Sequence, residues 1–125
     1  MVRNNSGNWE YDLDVNASSG PISSEPVVLG DGEFRYEVSG RDWGDLPDGW
    51  SYKEATAVAV DSKDRVYVFN RGDHPMIIFD SSGKVLDTWG DGMFSNPHSV
   101  TLSPDGAIYC VDNGDSTIRK FDIGG

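Results

Sequence analysis

One arginine-led loop and two histidines carry most of the chemistry this chain can offer. Arg71-Gly72-Asp73-His74 runs into Pro75, and His98 follows Pro97. A guanidinium presents a planar fork that matches a carboxylate. A neutral imidazole is a nitrogen ligand for zinc, but a catalytic zinc normally takes three protein ligands, and one histidine does not make that site. On residue types alone, His98 reads as a hydrogen-bonded loop residue and His74 as a brace for the loop before Pro75. Arg71 reads as a partner for Asp73 or Asp112, and surface pairs of that kind are worth little. Tyr67 and Tyr109 fit strand packing better than general-base duty. Cys110 stands alone, which excludes an intrachain disulfide and suits an apolar filler inside a strand. Arg71-Gly72-Asp73 spells an integrin-type tripeptide, discounted here because neither an export signal nor an exposed hairpin tip accompanies it.

The elements that must position these residues are set by a repeat. Ala57 to Asp80 returns as Ser99 to Asp122, with Val58 and Val100, Tyr67 and Tyr109, Gly72 and Gly114, Phe79 and Phe121 each 42 residues apart. A gap-free repeat of about 40 residues made of short strands marks propeller blades. Ala57 to Val60 and Ser99 to Leu102 are apolar runs suited to inner strands. Asp61-Ser62-Lys63-Asp64 and Ser103-Pro104-Asp105-Gly106 are turn chemistry. Val66 to Phe69 and Ile108 to Val111 are β-branched and aromatic second strands. Polar loops lead to third strands at Met76 to Phe79 and Ile118 to Phe121, and Val85 to Trp89 is a fourth strand of the first copy. Four antiparallel strands make one blade. The spacing therefore predicts an all-β chain: one blade over 55–89 and an incomplete one over 97–125.

Residues 1–26 are rich in Asn, Ser, Gly and acidic residues and read as a flexible tail. Trp9 to Val15 alternates and is a weak signal for a short edge strand. Two glycosylation sequons there, at Asn4 and Asn16, read as chance matches. Phe34, Tyr36 and Val38 alternate with charged residues, so 33–38 reads as a half-buried strand in the place of a preceding blade's fourth strand. Trp43 to Pro47 and Gly49-Trp50 are expected to cover an end of a propeller, and Phe94 to tuck between blades. Tyr67, Phe79, Tyr109 and Phe121 are expected to pack between sheets.

Composition limits the partners. The chain has 125 residues, with 10 basic against 21 acidic side chains, a net charge of −11 and a pI of about 4.3. That balance argues against nucleic acid, which needs clustered Lys and Arg. No signal peptide or membrane-spanning run is read, so a cytoplasmic place is expected, or none is specified, and no membrane partner. Two blades leave their stacking faces open, and repeat units need about three neighbours. The chain is therefore expected to be the first part of a larger propeller.

At this point the residues carry a resemblance. The repeats resemble NHL repeats. Val66 to Pro75, with Trp89-Gly90-Asp91-Gly92 and Asn96-Pro97-His98, resembles peptidyl-α-hydroxyglycine α-amidating lyase and its bacterial propeller relatives. Gly44-Asp45-Leu46-Pro47-Asp48-Gly49-Trp50 resembles the leading loop of the bacterial members. The likeness covers roughly 27–125, and it implies two blades of a six-bladed NHL β-propeller. It also implies zinc-dependent cleavage of peptidyl-α-hydroxyglycine to peptide amide and glyoxylate. His98 matches a zinc ligand of the family, and Arg71 matches an arginine that binds substrate and serves catalysis. His74, in the same loop, is a substrate-binding candidate. Val58 and Val100 match positions whose main-chain carbonyls hold a structural calcium. The family's other zinc histidines, its catalytic tyrosine and a second arginine fall in later blades, and Ser99 stands where the family usually has glycine.

Two function classes follow. One is a lyase-like metal propeller, of which this chain alone is expected to be inactive; its ligand would be a peptide or small molecule. The other is a non-catalytic NHL propeller module that binds protein or peptide. A truncated fragment is the simpler account of the open faces; the alternative is a homotrimer that completes the propeller, with Phe34 to Val38 of one copy adding to the Ile118 to Phe121 edge of the next.

Overall fold

A computed structural model describes residues 2–3, 9–10, 28–37 and 43–123. It is all-β: eleven strands form four antiparallel sheets among the described residues, none of which is helical. No helix long and apolar enough to cross a membrane occurs among them. The chain divides into two units, Met1–Ser39 and Gly40–Gly125.

In the first unit, β1 (Val2–Arg3) pairs with β2 (Trp9–Glu10), and β3 (Val28–Asp31) with β4 (Phe34–Glu37). The sequence reading of 1–26 as a flexible tail otherwise lies outside the described residues. The hairpin turns at Asp31-Gly32-Glu33-Phe34, where the Asp31 carboxylate accepts the Gly32 N–H at 2.7 Å. Its strands are exposed throughout, Phe34 and Tyr36 included, so the half-buried face expected of 33–38 is not found. Strand β3 was not anticipated either, because Gly30 and Asp31 are poor strand formers.

The second unit holds both copies of the repeat. β5 (Ala55–Val60), β6 (Val66–Asn70), β7 (Met76–Phe79) and β8 (Val85–Trp89) form a four-stranded meander. β9 (Pro97–Leu102), β10 (Ala107–Asp112) and β11 (Thr117–Asp122) repeat its first three strands. The turns follow the expected chemistry. Asp61 Oδ1 accepts from Lys63 N at 2.8 Å and Arg65 N at 3.0 Å, while Oδ2 takes Arg65 Nε at 2.7 Å. Ser103, at the same repeat position, accepts the Ala107 N–H at 3.2 Å. Gly83 (φ 92°) sits so close to the preceding loop that a Cβ there would lie 2.9 Å from Gly44 N, so no other residue fits.

Alternation along the strands sorts each sheet into two faces. In the first sheet, Tyr67, Phe69, Met76 and Ile78, flanked by Ala57 and Ala59, pack against Val100, Ile108 and Cys110 of the second. Phe94, from the linker, meets Phe69 edge-on at 4.8 Å and lies 6.1 Å from Phe121, filling the gap between sheets as expected. Burying such a set of large apolar side chains contributes about 1.5–3 kcal/mol each. On the opposite face, Val68, Ile77 and Phe79 are covered by Leu46, Trp50 and Tyr52. The loop over 43–54 thus covers a face of the first sheet rather than an end, because its Leu and aromatic residues need an apolar surface. Phe79 is buried beneath that loop, with Trp43 at 5.3 Å, and not between the sheets. Tyr109 also departs from expectation: strand parity turns it to the far face of the second sheet, half-buried, with Lys120 Nζ 5.6 Å from its ring centre.

Candidate functional site

Asn70 organises the loop that carries Arg71 and His74. It closes β6, is fully buried, and donates through Nδ2 to the carbonyls of His74 (2.8 Å) and Pro75 (3.1 Å). Its Oδ1 accepts the Gly72 N–H at 2.8 Å. A Cβ on Gly72 would lie 2.2 Å from the Ser51 carbonyl oxygen, so the loop can pass there only as glycine. One side-chain amide, with two donors and an acceptor, thereby satisfies three backbone groups of a five-residue loop.

Arg71 reaches out of this loop across the sheets. Its Nε donates to the Pro97 carbonyl at 3.2 Å, its Nη1 pairs with Glu54, and its backbone N–H bonds the Glu54 carbonyl at 3.0 Å. Its side chain is about one-third exposed. It pairs with neither Asp73 nor Asp112. Asp73 faces Lys53 at 3.4 Å, and Asp112 is met by Arg119 at 3.6 Å.

His98 is the next residue after the carbonyl that Arg71 holds, and it is exposed. The opening of β9 and the loop after β6 therefore come together at one end of the two sheets. His74 is turned elsewhere: its ring stacks on Trp50 with centroids 3.7 Å apart, and Nδ1 lies 3.3 Å from the Asp91 carboxylate. With Lys53 and Asp73, the Trp50–His74 stack lines a small cleft of about 70 Å³. Neither the stack nor the Glu54 partner was readable from sequence, although Gly49-Trp50 stood out as a covering element.

Val58 and Val100 occupy matching positions of the inner strands β5 and β9, paired with Val68 and Cys110 respectively. Two main-chain carbonyls fall short of the six to eight oxygens that calcium takes. Among the described residues no group of three or more His, Cys, Asp or Glu side chains is arranged to hold a metal. The donor set of these residues therefore does not fit a three-ligand zinc centre or a calcium site by itself.

The electrostatics around the site are those of a braced scaffold. Burial pushes the Asp112 carboxyl up, but the N–H groups of Ser95, Asn96 and Gly114 and the Arg119 guanidinium outweigh it and hold it below the usual carboxylate range. Burial pushes the Cys110 thiol up to about 12, which makes it a poor nucleophile. The Tyr52 hydroxyl, in the covering loop, is raised by the same desolvation. No protein-family model matches the chain, and no curated protein matches it.

Proposed function

We propose that the chain is part of an NHL-type β-propeller related to the amidating lyases, and that Arg71 and His98 form a binding rim for a ligand carrying a carboxylate. The observation that supports this is the 3.2 Å bond from Arg71 Nε to the Pro97 carbonyl, which sets the guanidinium beside the residue that bears the imidazole. A repeat that returns as two stacked antiparallel meanders supports the propeller. A peptide or small molecule ending in a carboxylate would meet the partly exposed guanidinium, with His98 as a neighbouring donor or acceptor. Lyase turnover would draw on zinc ligands and a base beyond Arg71 and His98.

Binding of a peptide ending in α-hydroxyglycine, followed by NMR shifts and glyoxylate release, tests the reading. Arg71→Lys keeps the charge but loses the fork, and should weaken binding about tenfold, equivalent to about 1.4 kcal/mol. Peptide binding indifferent to both Arg71→Lys and His98→Ala would overturn it. The second reading, a non-catalytic module for protein or peptide, is favoured by the incomplete donor set. Stoichiometric zinc lost on His98→Ala would decide against it.

A further inference from the structure

The repeat gives each sheet the same two faces, and the molecule shows how they fit. One face of the second sheet, carrying Val100, Leu102, Ile108 and Cys110, packs on the face of the first sheet that carries Ala57, Ala59, Tyr67 and Phe69. Strands β5 and β6 against β9 make this contact. Each of these faces exists twice, and among the described residues the second example of each is uncovered at its inner strand. Val58, the repeat equivalent of Val100, is 59% exposed, whereas Val100 is 8% exposed. Val60, the equivalent of the partly buried Leu102, is likewise exposed. At the other end, the far face of the second sheet presents Ser99, Thr101, Tyr109 and Val111 where the first presents Ala57, Ala59, Tyr67 and Phe69. Ile118, the equivalent of fully buried Met76, is 71% exposed.

We propose that these two faces dock copies of this chain head to tail, the Val58–Val60 strand of one copy seating on the Thr101–Tyr109–Ile118 face of the next. The occupant is specified by continuity with the contact inside the chain: the surface that matches each open face is the one that covers its repeat equivalent. Thr101 and Ser99 in place of Ala59 and Ala57 keep the side chains small, so an inner strand can approach as closely as β9 approaches β5. The two patches differ, so the contact is heterologous and closes into a ring or continues as a filament according to its rotation. This rests on the repeat and the sheet contact alone, and holds whether or not Arg71 binds a carboxylate. It also needs no strand exchange through Phe34 to Val38.

Sedimentation of the full chain across about 1 µM to 1 mM tests the idea, since weak but specific association falls in that range. The expected result is a mass above the 13.7 kDa monomer that grows with concentration. Val58→Asp and Ile118→Asp should each raise the apparent Kd at least about tenfold with the near-ultraviolet dichroism of the tryptophans retained. Val60→Lys and Thr101→Arg repeat the test on the same two faces should either variant misfold. Mixed together, Val58→Asp and Ile118→Asp proteins each keep one good face, so they should form a 1:1 dimer and nothing larger. A chain that stays monomeric throughout overturns the proposal. So does an assembly that ignores both substitutions, or one that survives Val58→Asp but is lost on Tyr36→Pro, which assigns it to strand exchange instead.

Discussion

The two copies of the repeat close their second strands with different residues, and the difference is chemical rather than geometric. The first copy has Asn70, and the second has Asp112 at the same position. Around Asn70 the backbone offers the His74 and Pro75 carbonyls, which need donors. Around Asp112 it offers the N–H groups of Ser95 (2.6 Å), Asn96 (2.8 Å) and Gly114 (2.9 Å), with Arg119 at 3.6 Å. The preceding linkers explain the contrast. In the first copy, Lys53 N and Glu54 N find partners within their own turn, at Ser51 Oγ and the Tyr52 carbonyl. In the second, Ser95 and Asn96 send their N–H groups to Asp112. The same fold position takes an amide or a carboxylate according to whether its surroundings lack donors or acceptors.

Exchanging these residues breaks the comparison most severely. Asn70→Asp places a buried charge against two carbonyl oxygens, and should cost about 3–5 kcal/mol in urea unfolding. Asp112→Asn leaves buried N–H groups short of acceptors, and should cost about 1–3 kcal/mol. Equal losses for the two exchanges would show that the surroundings do not discriminate.

Phe79 and Phe121 share a repeat position but not an environment. Phe79 is fully buried under the 43–54 loop, so Phe79→Ala should cost about 3–5 kcal/mol. Phe121 is half-buried against Trp89 at 4.9 Å, and its truncation should cost about 1–3 kcal/mol. A loss below about half a kilocalorie at Phe79 would mean that the covering loop is not closed over it.

Acid should sharpen the contrast further. The folded carboxyl of Asp112 is held below its ordinary value, so its contribution is fully present above the unfolded pKa of about 3.9. It is lost as pH falls through that value toward the lower folded one. Asp61, Asp80 and Asp105 are depressed in the same direction, by hydrogen bonds within their turns that outweigh any desolvation. Unfolding followed between about pH 5 and 2 should therefore steepen toward acid, and Asp112→Asn should remove part of that slope. Asn70→Ala should leave the slope as it is. The smallest effect is expected at Lys53→Ala, which removes an exposed pair with Asp73 at 3.4 Å and should change stability by less than about 0.5 kcal/mol.

Strand order was readable because each strand carries its own apolar run and each turn its own Asp, Ser or Gly. β7 and β8 fall on the expected residues, and β5, β6, β9, β10 and β11 extend theirs by a residue or two. Facing was less readable. Tyr67 and Tyr109 look alike in sequence, yet among the described residues only Tyr67 has a sheet laid over it. The site divided in the same way. The Arg71 loop and the Pro97-His98 step stood out by residue type, but their meeting depends on a bond from a side chain to a backbone carbonyl 26 residues away, which no residue type encodes. His74 stacks on Trp50 for a similar reason: the loop that delivers the tryptophan is held by Phe79 and Gly83 on one side and by Arg71 and Gly72 on the other.

Cys110 sits at the seam between the two repeat sheets, fully buried and with its thiol pushed up to about 12. At neutral pH almost no thiolate is present there, and a labelling reagent has no path to the sulfur while the sheets are closed. Any alkylation of this chain must then occur through moments when the seam opens. The single cysteine is in effect a built-in clock: its labelling rate counts how often one repeat lets go of the other.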